Sequence, residues 1–115
     1  MNEPDQSVIN EMKTKYPDRD IALFSLSDEY GDYHFIMTAP DNGDWTKYQR
    51  EIDQAGKSEE KLQKVVYTAA LAQIRWPSRD ETKAIFDRRP GLVQNILPQL
   101  QSLAGVNATA RLKKL

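Results

Sequence analysis

The chain has 115 residues, enough for one domain with a real core and too few for two. It contains no cysteine, which excludes disulfide frameworks and thiolate metal sites, and a single histidine, His34, which removes most imidazole chemistry. The net charge of -1 conceals a polarity: 12 acidic and 5 basic side chains up to Gly56, then 5 acidic and 11 basic, so the halves carry -7 and +6.

In chain order, Gln6 or Ser7 is expected to open a short helix with Val8, Ile9, Met12 and Tyr16 on one face, ended by Pro17. The stretches "DIALFSLS" and "YHFIMTAP" alternate apolar residues around "DEYGD", the pattern of a β-hairpin over 20–40. Strand alternation puts Ala22, Phe24 and Leu26 on one face of the first strand and Tyr33, Phe35 and Met37 on one face of the second. A lone hairpin is marginal in water, so it must pack on helices or pair with a further strand.

From 41 to 105 the chain reads as helices. Asp44 is a candidate cap for "DWTKYQREIDQAG", in which Trp45, Tyr48 and Ile52 recur at helical spacing and Gly56 stops the helix. Trp45 is expected in the core. Ser58 caps the next helix, with Glu59 and Glu60 at its positive end and Leu62, Val65, Val66 and Ala69 as an inward stripe. The almost unbroken apolar run from Tyr67 to Ile74 marks it as the central element. Trp76 and Pro77 break it, and Ser78 with Glu81 forms an SxxE capping box for a short helix that turns Ile85 and Phe86 inward. Pro90 and Gly91 end this helix, and Pro90, whose missing amide costs nothing in a first turn, is expected to begin a last helix with Leu92, Val93, Ile96, Leu97, Leu100 and Leu103 on one broad face, stopped by Gly105. Pro98 inside it frees the carbonyl of Gln94, and the resulting kink either is structural or opens a groove. Residues 106–115, "VNATARLKKL", read as a basic flexible tail.

The chemistry-bearing patterns are weak. "AGKS" ends like a phosphate-binding loop, but the motif needs glycine where Glu51 stands, and a strand before it. Asp28, Glu29 and Asp32, and Asp41 and Asp44, lack the dense spacing of a calcium loop and suit turns and caps. His34 lies in a strand with no nucleophile in prospect. No cofactor, metal or catalytic residue is expected. With no signal-peptide pattern and no apolar run near the roughly 20 residues that span a bilayer, the chain is expected to be soluble and intracellular.

The hairpin ending "YHFIMTAP", the aromatic helix "DWTKYQREID", the apolar helix and then "WPSRDE" and "FDRRPGLVQNILPQLQSLAG" resemble the small tail assembly chaperones of long-tailed bacteriophages, over Ile21 to Gly105. The resemblance implies an α+β protein, a hairpin or small sheet packed on about four helices, without enzymatic activity. It implies a role in the host cytoplasm, binding the tape-measure or tail-tube protein during tail assembly, and absence from the finished particle.

A holder of a helical partner needs an apolar groove with an adaptable rim. The expected groove lies between the last two helices, with Phe86, Leu92, Ile96, Leu97 and Leu100 as floor, Arg79, Arg88 and Arg89 as rim, and Trp76 as an aromatic anchor. Two alternatives use the same features: a structural tail or baseplate subunit, and a small nucleic-acid-binding regulator working through the basic half. The second is disfavoured because aromatic and basic residues do not interleave. Opposite charge on the two halves leaves self-association open.

Overall fold

The computed structural model describes residues 1–115 and is an α+β fold of five helices and a three-stranded antiparallel sheet. The elements are α1 (Gln6–Lys15), β1 (Ile21–Asp28), β2 (Gly31–Thr38), α2 (Asn42–Ala55), α3 (Glu59–Gln73), β3 (Ile74–Trp76), α4 (Arg79–Arg88) and α5 (Leu92–Leu103).

The hairpin turns through Glu29 and Tyr30, and Gly31 takes φ +147°, a backbone state that side chains with a Cβ rarely adopt. Ala22 lies opposite Met37, Phe24 opposite Phe35 and Leu26 opposite Tyr33, so the two apolar faces read from the sequence coincide as one. That face meets α3, α4 and α5 in a core of Phe35, Met37, Ala70, Leu71, Ile74, Ile85, Phe86, Leu92, Val93, Ile96 and Leu100. The Phe86 ring lies 5.9 Å from Phe35 and 5.8 Å from Tyr67, so one aromatic joins sheet and helices.

A third strand follows directly from α3. Ile74 pairs with Met37 and Trp76 with Ile36, across an irregularity that lets the two residues lie against different faces of β2. The Trp76–Pro77 peptide is cis, and Pro77 is fully buried. The expected break after the central helix is thus a strand, and the hairpin gains the partner it needed.

Helix ends follow the capping rules, with corrections at the starts of α2 and α5. Asp5 caps α1 through the amide of Val8, and Asp41, not Asp44, caps α2 through the amide of Asp44. Ser58 and Ser78 cap α3 and α4 as expected, Ser78 Oγ accepting from the Glu81 amide at 3.2 Å. Gly56 ends α2 at φ +59°. Gly91 is the N-cap of α5, so Pro90 lies before the helix rather than beginning it, and Pro98 and Gln94 are both exposed, so the carbonyl that proline leaves without a donor belongs to the solvent side. No helix is long and apolar enough to cross a membrane.

Candidate protein-docking trough

Helix α3 packs against α2 on one side and α5 on the other. Its buried core residues are Ala70 and Leu71, and half-buried Val66, Tyr67 and Ala69 pack against the same core, while Leu62 and Val65 are half-buried without being part of it. The expected inward stripe thus reaches the core only through Val66 and Ala69, and Leu62 and Val66 with Tyr67, Val93 and Leu97 line a surface trough.

The trough continues into a hollow between α2, α3 and α5. Trp45, Tyr48, Ala69, Ala72, Leu97 and Leu100 line it, and Thr68 and Leu97 belong to both depressions. Its volume is ≈ 80 Å³. Small-molecule sites run from about 300 to 1,000 Å³, so this hollow is the size of an apolar side chain. The indole of Trp45 and the ring of Tyr48 stand 5.4 Å apart in the wall, half-buried. Trp45 is a groove aromatic, which corrects its expected place in the core.

The rim carries both signs of charge as exposed pairs along helices. Lys47 and Glu51 lie 3.9 Å apart beside the hollow, and Glu60 and Lys64 lie 3.8 Å apart beside the trough. Such pairs contribute little to stability, typically under about 1 kcal/mol, and can exchange partners at small cost. Burial raises the Tyr48 hydroxyl above its usual pKa.

Most of the predicted docking residues lie elsewhere. Phe86, Leu92, Ile96 and Leu100 are buried at 2%, 7%, 0% and 4% exposure, and so are core side chains, with Leu100 alone reaching the hollow. Leu97 alone of the expected floor stays half-buried and central to both depressions. Arg88 and Arg89 line a separate cleft between the hairpin turn and α4. Arg89 is held there by an ion pair with Asp28, and its guanidinium lies 4.4 Å from the Tyr30 ring centroid. Arg79 is exposed in the first turn of α4 and Trp76 half-buried in β3. Neither lines the trough.

A polar network supports the open end of the hollow. Arg19 reaches Asp41 at 2.7 Å and Asp44 at 3.1 Å. The Gln73 amide donates to Asp44 at 2.9 Å and accepts from Thr38 at 2.9 Å, and Arg75 donates to the Thr38 hydroxyl at 3.1 Å. The Arg75 guanidinium also lies 4.5 Å from the Tyr16 ring centroid, drawing in the end of α1. Burial raises the Asp44 pKa, but hydrogen bonds from Gln73 and the Asp41 amide and the charge of Arg19 outweigh it, leaving the carboxyl below its ordinary value. Asp41 and Asp44 are thus held by Arg19 and the α2 cap, Asp28 by Arg89, and no cluster of three or more metal-ligating side chains occurs. His34 is buried at 7% exposure with Nδ1 2.7 Å from Ser25 Oγ, a cross-strand pair.

No protein-family model matches the chain, and no curated protein matches it significantly. One solved structure is similar, that of an uncharacterised protein from Bacillus stearothermophilus. It superposes with a TM-score of 0.69 over 91% of this chain and 99% of the other, at 20% identity. The likeness is of fold alone.

Proposed function

We propose that the chain is a non-enzymatic assembly factor that shelters an amphipathic helical segment of a partner protein in the trough along α3 and α5. Leu97 and the side-chain-sized hollow beside it carry the reading. An apolar anchor of the partner fills the hollow between Trp45 and Tyr48, and its polar flanks exchange ion pairs with the charged rim. Together with the sequence resemblance, this favours a tail assembly chaperone whose client is the tape-measure or tail-tube protein, held in the host cytoplasm until the tail encloses it.

Co-expression with each of these two proteins, followed by affinity capture and analysis of purified particles, tests the reading. A chaperone co-purifies with its client and is missing from finished particles. Presence in particles at fixed stoichiometry would make it a structural subunit. Capture of nucleic acid alone, in a salt-sensitive manner, would replace both with a nucleic-acid-binding role.

A further inference from the structure

Strand β1 is the long open edge of the sheet: the order β1-β2-β3 leaves it bonded on one side only, and the other edge, β3, has three residues. The Ala39 amide donates to the Asp20 carbonyl at 2.8 Å, which sets the phase of the ladder. By the alternation of antiparallel pairing, Ala22, Phe24 and Leu26 exchange bonds with β2, while Ile21, Leu23, Ser25 and Ser27 direct their N–H and C=O groups outward. The Met1 sulfur beside the His34 amide, on the far edge of β2, agrees with this phase. Natural edge strands are commonly blunted by lysine, proline or a bulge. From Ile21 to Ser27 β1 has no charged residue and no proline, its ladder to β2 is regular, and Leu23 at its middle is 44% exposed.

Charge decides what covers this edge. Asp18 and Asp20 stand at one end of β1, and Asp28 and Glu29 at the other. Antiparallel pairing with β1 of a second copy would bring acidic end to acidic end, which is destabilising. A cationic, extended segment is what fits, and the chain supplies one. Residues 106–115 form no helix or strand and are exposed throughout, with Leu112 at 99%. They contain Arg111, Lys113 and Lys114 and no acidic residue. At roughly 3.3 Å per residue the segment is long enough to run the length of an eight-residue strand.

We propose that residues 106–115 of one copy add antiparallel, as a fourth strand, to β1 of a second copy, with Leu112 covering Leu23 and Lys113 and Lys114 lying opposite Ala22 and Ile21, beside the acidic end at Asp18 and Asp20. Such a contact joins two different surfaces, so it closes into a ring or continues as a chain of subunits. It is independent of the trough.

Sedimentation of the full chain over a range of concentrations, with amide exchange followed by NMR, tests the proposal. Association above the 13.2 kDa monomer is expected at about 0.1 M salt and weakened near 1 M, where the screening length falls from roughly 10 to 3 Å. On association, exchange at Leu23 and Ser25 should slow about tenfold or more, while Ala22 and Phe24, already bonded, should not change. The triple variant Arg111→Glu, Lys113→Glu, Lys114→Glu touches no folded element and should remain monomeric. Leu23→Pro removes one outward donor without costing a bond to β2 and should do the same, with Leu23→Lys as the check if the proline variant is unfolded. A wild-type chain that stays monomeric throughout, or association that survives the triple charge reversal, would overturn the proposal; the latter would assign the contact to β1 pairing with itself or to the trough.

Discussion

Gln73 is 3% exposed, yet both ends of its amide are used, the oxygen by Thr38 and Arg19 and the nitrogen by Asp44. Replacing it by leucine keeps most of the volume and leaves three polar partners short of a bond, so Gln73→Leu is expected to cost about 1–3 kcal/mol in chemical denaturation. The network also has a pH signature. Asp44 has a folded pKa below its unfolded value near 3.8. Its contribution is therefore complete above that unfolded value and is lost as pH falls through the lower folded one. Melting curves between about pH 5 and pH 2 should show wild type losing stability more steeply on acidification than Asp44→Asn, which has no such proton to take up. Equal slopes would remove Asp44 from the acid response.

Neighbouring positions of one helix have opposite roles in α5. Ile96 is fully buried, and Ile96→Ala should cost about 2–5 kcal/mol. Leu97, half-buried between two depressions, should cost well under that on truncation and should affect docking instead. Urea denaturation of the two alanine variants checks the contrast. The hairpin and the helices were legible because each rests on local rules: alternation, Gly31 at the turn, Ser58 and Ser78 as caps. Strand β3 was not, because "IRW" continues the apolar run of α3 and only its pairing with Ile36 and Met37 makes it a strand. The floor of the trough was misplaced for a related reason. Periodicity marks Leu62, Val66 and Ala69 as an apolar stripe, but not whether a neighbouring element covers it. The Gln73 network joins residues 25 to 54 positions apart, which no local pattern encodes.

At the scale of the whole molecule, the charge asymmetry of the sequence is offset inside the fold where Arg89, from the basic half, holds Asp28, from the acidic half, whereas Arg19 holds Asp41 and Asp44 within the acidic half. The remainder includes the acidic ends of β1 and the basic segment 106–115. The radius of gyration is 15.6 Å, against about 13 Å for a compact chain of this length. The fold thus presents two separate surfaces, the β1 edge and the trough, to which the proposals above assign a basic segment and an amphipathic helix. The most direct test of the trough is the affinity of a tape-measure protein fragment for wild type and for Leu97→Asp, measured by calorimetry alongside each protein's melting temperature. The predicted result is a loss of about 2 kcal/mol in binding, roughly 30-fold, with the fold retained. Undiminished affinity in a folded Leu97→Asp protein would contradict it.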